Sequence, residues 1–115
     1  IDQGGGNNGY KSETERRPIM IYIVISIRER STRILTDHIS KKKYFTDLTL
    51  AKEKLYKDFA LSYSAKTDKT LSKEEFNRMK GKCTDWYGIN SNGEIAWIND
   101  VNGADYDIQI LSIEK

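Results

Sequence analysis

The stretch that decides the fold is Ile19–Ile27, "IMIYIVISI". Isoleucine occupies every odd position, with Met20, Tyr22, Val24 and Ser26 between them. Side chains of an extended chain point alternately to opposite faces. This β-branched period of two therefore predicts a strand with Ile19, Ile21, Ile23, Ile25 and Ile27 on one side. That side is expected to be buried. The other side is apolar at first and turns polar near Arg28, so partial cover or pairing in an oligomer is expected there.

Upstream, residues 1–17 read as a solvated leader ending at Pro18. Its opening, "IDQGGGNNGYKS", spaces Gly4 and Gly9 like a phosphate-binding loop. Such a loop needs lysine directly after the second glycine, and Tyr10 stands there, pushing Lys11 and Ser12 one place too late. "KSETERRP" carries no apolar stripe for the helix that should follow. Phosphate-loop chemistry is excluded.

Downstream, "RERSTR" (28–33) predicts a hairpin turn, and residues 34–45 an irregular return strand carrying Lys41, Lys42 and Lys43. Thr46 or Asp47 can cap a helix over about residues 47–64, where Leu48, Ala51, Leu55, Phe59 and Tyr63 recur at three- and four-residue steps. That helix is the expected cover for the isoleucine face. Ser72 and Glu75 form a capping box for a short second helix, with Leu71 stapled to Phe76 and Gly81 as its stop. Asn92-Gly93 predicts a two-residue hairpin turn that sets Gly88 opposite Trp97 and Ile89 opposite Ala96. Asn102-Gly103 marks the next turn, before a last strand through Tyr106, Ile108 and Ile110. The predicted architecture is α+β: an antiparallel sheet of about five strands in the order ββααβββ, with one long and one short helix on one face. Residues 18–115 form its single domain.

Two segments, "YFTDLTLAKEKL" and "DWYGINSNGEIAWINDVNGADYDIQILSIEK", resemble small uncharacterised proteins of phages and mobile elements in gut bacteria. In those, a strand pair runs into a helix opened by an F-[ST] step, with alanine five or six residues on. They close with an "AW-N…G…D-x-I" strand pair. The resemblance spans roughly residues 19–115. It implies an accessory factor of a mobile element and carries no catalytic motif.

The 115 residues are 31% charged and 37% hydrophobic. The longest apolar run, nine residues, is less than half the ~20 needed to cross a bilayer as a helix. No membrane partner is expected. Cys83 is the one cysteine and His38 the one histidine, which excludes a disulfide framework, a cysteine-rich zinc site and HExxH chemistry. A cytoplasmic location is expected. The net charge of +2 is unevenly spread. Residues 1–57 carry twelve Lys/Arg against seven Asp/Glu, and residues 58–115 seven against ten.

Candidate chemistry gives way to structural readings. "YSAKTDKTLSKEEF" places Glu75 where a calcium loop closes, but Lys66 and Lys69 fall at a ligand and at the glycine position. Asp100, Asp105 and Asp107 could bind a cation or serve as an acid–base pair, yet carboxylates around Asn-Gly are also what a turn bonds to itself. Nothing brings Cys83 and His38 together as nucleophile and base. No enzyme activity and no cofactor are expected. Two surfaces remain. Trp86, Tyr87 and Trp97 are the candidate protein-binding residues: the register sets both tryptophans on one face, a docking surface where the sheet leaves that face uncovered and ordinary core where it does not. Arg28, Arg30, Arg33, Lys41, Lys42 and Lys43 are the candidate nucleic-acid-binding residues. The expected role is protein–protein contact, with nucleic-acid binding as the alternative and homodimerisation through the sheet open.

Overall fold

A computed structural model describes residues 19–115; the leader and its glycine run lie outside the described residues. In chain order the elements are β1 (Met20–Arg28), β2 (Ser31–Ile34), α1 (Leu48–Thr67), α2 (Lys73–Met79), β3 (Lys82–Cys83), β4 (Tyr87–Ile89), β5 (Ile95–Val101) and β6 (Ala104–Glu114). They form an α+β fold whose six-stranded sheet runs β2-β1-β6-β5-β4-β3, antiparallel throughout. The sixth strand, beyond the five expected, is the two-residue β3. The first and last strands pair along their length, from Met20↔Glu114 to Arg28↔Tyr106, the longest pairing in the sheet.

Both helices form where capping and spacing place them. The Asp47 side chain accepts from Thr49 N at 2.8 Å and opens α1, whose buried stripe is Ala51, Leu55 and Phe59. The Ser72–Glu75 capping box opens α2, Leu71 and Phe76 are buried on either side of it, and Gly81 follows at φ +81°. Helix α1 lies across β5, β6 and β1. Phe59 and Phe76 meet edge to face at 5.7 Å above a floor that includes Val24, Ile98 and Ile108.

The meander takes the predicted register, Gly88↔Trp97 and Ile89↔Ala96. Its loop differs. Asn90 N donates to Ile95 O, so four residues intervene, and of Asn92 and Gly93 only Gly93 has positive φ. The larger loop keeps the same centre, which is why the register is unchanged. At Asn102-Gly103 both residues are left-handed and the turn is tight.

The first hairpin is shorter than expected. Glu29 at φ +56° lets β2 begin at Ser31, and regular pairing ends at Ile34. Residues 35–47 form a loop that returns to the sheet once, where Phe45 and Tyr22 exchange backbone hydrogen bonds. Lys41–Lys43 ride on this loop and not on a strand. Asp37 shapes it: its carboxylate accepts from Ile39 N and from the Ser40 hydroxyl, both at 3.0 Å. The Ile39 N–H above all holds the Asp37 carboxyl below the usual range.

The largest correction concerns β1. Helix α1 covers the side bearing Tyr22, Val24 and Ser26 and not the isoleucine side. Val24 is fully buried, Ile19 is 62% exposed, and Ile21, Ile23, Ile25 and Ile27 are only partly buried. The reason lies in β6, where Tyr106, Ile108 and Ile110 alternate with Asp105, Asp107 and Gln109. The polar set cannot sit beneath a helix without unmatched desolvation. Pairing then fixes β1, because Val24 aligns with Ile110 and Ser26 with Ile108, while Ile25 aligns with Gln109 and Ile27 with Asp107.

Candidate functional site

The isoleucine side of β1 therefore belongs to the open face of the sheet. Pairing orders that face into rows. One row runs Thr32, Ile27, Asp107, Trp97, Gly88, Cys83 across all six strands. The next runs Ile34, Ile25, Gln109, Ile95, and beyond it lie Ile23 beside Leu111 and Ile21 beside Ile113. A last step brings Lys115 N to Ile19 O at 2.7 Å. Ile34, Ile95, Leu111 and Ile113 are 40–48% exposed, so apolar surface is continuous from one end of the face to the other. Contiguous exposed apolar patches of this kind are uncommon on monomeric proteins.

Trp97 lies on this face, flat against the cross-strand glycine. A Cβ on Gly88 would come within 2.4 Å of the indole Nε1. Trp86 does not share the face, contrary to expectation. The Thr84 hydroxyl accepts from Trp86 N and Tyr87 N, and this turn breaks the strand alternation just before β4. Trp86 instead packs against Tyr63 of α1, with ring centres 6.0 Å apart. Lys66 Nζ sits 5.7 Å over its ring while donating to Asn99 O at 2.9 Å. Tyr87 meets Trp86 edge to face at 4.9 Å, also on the helix side. The three aromatic candidates thus divide between the two faces.

The basic candidates divide too. Arg28 donates to Val101 O at 3.3 Å, and with Arg33 it lines a groove of about 390 Å³ between α1 and the first hairpin. Arg30 stands in the hairpin turn. Lys43, Arg33 and Lys54 border a second, shallow groove at the β2 edge. Lys41 and Lys42 lie further along the loop, Lys42 over the Tyr44 ring at 5.5 Å.

Asp58 of α1 lines the first groove. Burial pushes its carboxyl above the usual range, against the pull of Arg33 and Lys54. A raised value means that the folded chain holds the proton more tightly than the unfolded chain, so ionised Asp58 lowers stability at neutral pH. Asp58→Asn is expected to raise the melting temperature at pH 7 by about 2 °C, the scale of a mild partly exposed change. That advantage should shrink as pH falls through the raised value, where wild-type Asp58 becomes neutral; melting curves from pH 7 to about 4 check it.

Around the second turn, Asp100 N donates to an Asp105 carboxylate oxygen at 3.1 Å, so Asp105 serves its own turn. Asp107 sits between Ile27 and Trp97 on the open face, and burial, then the neighbouring Asp105 charge, pushes its carboxyl up. Among the described residues no three His, Cys, Asp or Glu side chains gather as a metal site, and no helix is long and apolar enough to cross a membrane. His38 lies beside Lys54, its Nε2 at 3.4 Å from Nζ, whereas Cys83 is exposed on β3 at the opposite edge of the sheet.

No family model, curated protein or solved structure matches this chain.

Proposed function

We propose that this protein acts without catalysis, by docking a protein partner on the open face of its sheet. The observation that carries this reading is the uninterrupted apolar surface from Ile34 through Ile25, Ile23 and Leu111 to Ile113, placed on the central strands and left uncovered by either helix. A domain with its own core beneath α1 has no folding need for a second apolar face. The resemblance of its helix start and closing meander to phage and mobile-element proteins gives the reading a setting. It is an accessory factor in a bacterial cytoplasm, where Cys83 stays reduced, and it works by occluding a macromolecule. Capture from bacterial lysate tests it. Ile23→Lys inserts a charge at the middle of the face and is expected to weaken capture at least tenfold, with little change between low and moderate salt. Capture unaffected by this change would place the partner elsewhere.

A second reading rests on Arg33, Lys43 and Lys54 around the β2-edge groove. In it the basic residues bind nucleic-acid phosphates, and binding to a mixed-sequence oligonucleotide falls steeply with salt and is lost on Lys41–Lys43→Ala.

A further inference from the structure

The open face has a shape and a charge layout that say what covers it. Five rows, from Asp107 and Ile27 at one end to Ile19 and Lys115 at the other, span about 27 Å at two residues per row. In the first row Trp97 lies down over Gly88. Its charges are segregated. Asp107 occupies the first row, with Asp105 just beyond it, and Lys115 occupies the last.

We propose that the occupant is a second copy of this chain. The two open faces pack against each other with β6 antiparallel to its counterpart, Ile23 and Leu111 at the two-fold axis, and Asp107 of each copy over Lys115 of the other. This rests on the reading of the open face as a protein-docking surface: the second copy caps that face and leaves before another macromolecule docks there.

Three arguments carry it. The axis follows from the rows: Ile23 and Leu111 form the third of five, so a two-fold there exchanges first row with last. Only that exchange matches charge. Stacking the copies in parallel would set Asp107 and Asp105 against their own copies, whereas the antiparallel arrangement gives each Asp107 an ammonium partner. The Asp107 carboxylate, already partly desolvated between Ile27 and Trp97, needs such a partner if the row is covered.

Self-complementarity is the third argument. Isologous contact needs no second surface, since Ile23 and Leu111 meet their own copies at the axis and Ile25 and Ile27 meet Ile21 and Ile19. The third to fifth rows hold β1 and β6 alone, so the antiparallel stack overlaps along a strip about 27 Å by about 10 Å, on the order of 300 Å² per copy. The pair buries on the order of 600 Å², a small contact that suits a weak, reversible dimer. Sheets with the native twist stack in this aligned way about 10 Å apart. Residues 1–18 have only Ile1 and Tyr10 as large apolar side chains to offer such a face.

Sedimentation equilibrium of the full chain tests the proposal. The average mass should rise from one chain towards two between about 5 and about 500 µM. Ile23→Lys should stay at one chain throughout with its circular dichroism unchanged, and Leu111→Lys serves if Ile23→Lys folds poorly. Asp107→Lys and Lys115→Glu should each weaken the dimer about tenfold, and the two together should restore it to within about threefold. A wild-type chain that stays single at every concentration overturns the proposal, as does a dimer indifferent to the Ile23 and Leu111 changes. A double charge swap that restores nothing overturns the antiparallel arrangement. If the chain is single yet lysate capture is lost on Ile23→Lys, the second copy is refuted while the docking face stands.

Discussion

Truncating Phe59 to alanine is expected to lower the free energy of unfolding by about 4 kcal/mol, within the range for a buried aromatic. The ring is wholly excluded from solvent at the middle of the α1 stripe. It touches Phe76 edge to face at 5.7 Å, and Phe76 in turn meets Tyr56 at 5.2 Å, so one side chain joins α1, α2 and the sheet. The Tyr56 hydroxyl fixes that corner by donating to Leu71 O at 2.7 Å. A domain of this size has a total stability of about 5–15 kcal/mol, so the variant should be marginal at 37 °C. Urea unfolding followed by circular dichroism checks it, with a lower midpoint and an unchanged slope expected. The same assay separates the faces of β1. Val24→Ala should cost about 2 kcal/mol, and Ile23→Ala under about 1 kcal/mol at dilute protein. A loss below about 1.5 kcal/mol at Phe59 would mean that α1 is not anchored there.

That contrast at β1 also shows how far the sequence could be read. Helix α1 was legible because Ala51, Leu55 and Phe59 fall on one face while Lys52, Lys54 and Lys57 fall elsewhere. Local interactions within four residues decide such an element. The meander was legible because Gly93 and Asn102-Gly103 fix where the chain reverses. Strand β1 read by itself is undetermined, since Tyr22 and Val24 make its second face nearly as apolar as its first. What decides between them is β6, some eighty residues away, whose Asp107 and Gln109 refuse the core. The β6 alternation was visible in the sequence, but the pairing of first strand with last leaves no local trace. The apolar part of the open face was therefore missed, Ile34, Ile95, Leu111 and Ile113 included, although Trp97 on the same face was named. Trp86 shows a smaller version of the same limit. Period-two counting puts it beside Trp97, and one turn built on the Thr84 hydroxyl sends it to the other side.

Replacing Gly88 by valine is expected to cost about 2 kcal/mol and to turn the Trp97 indole into solvent. The backbone at Gly88 is not in the left-handed region, so nothing in its own conformation forbids a side chain. The objection comes from across the strand: a Cβ there would meet Trp97 Nε1, Cε2 and Cζ2 at 2.4, 2.6 and 2.9 Å. The indole can yield only by swinging off the sheet, because the strand beneath it is paired on both sides. Re-exposing about 100 Å² of ring costs about 2.5 kcal/mol, and the smaller conformational entropy of valine in the unfolded chain returns about 1 kcal/mol. Strain from the branched side chain adds to the loss. Because Trp86 stays packed on Tyr63, the expected red shift in tryptophan emission reports Trp97. In a Trp97→Ala background the clash has no partner, so Gly88→Val should become neutral or mildly stabilising, a coupling of at least about 1.5 kcal/mol in the double-mutant cycle. The displaced ring would also stand up in the first row of the open face, between Asp107 and Gly88, and hold a docked surface away. Equal costs of Gly88→Val with and without Trp97 would show instead that the glycine serves the backbone and not the indole.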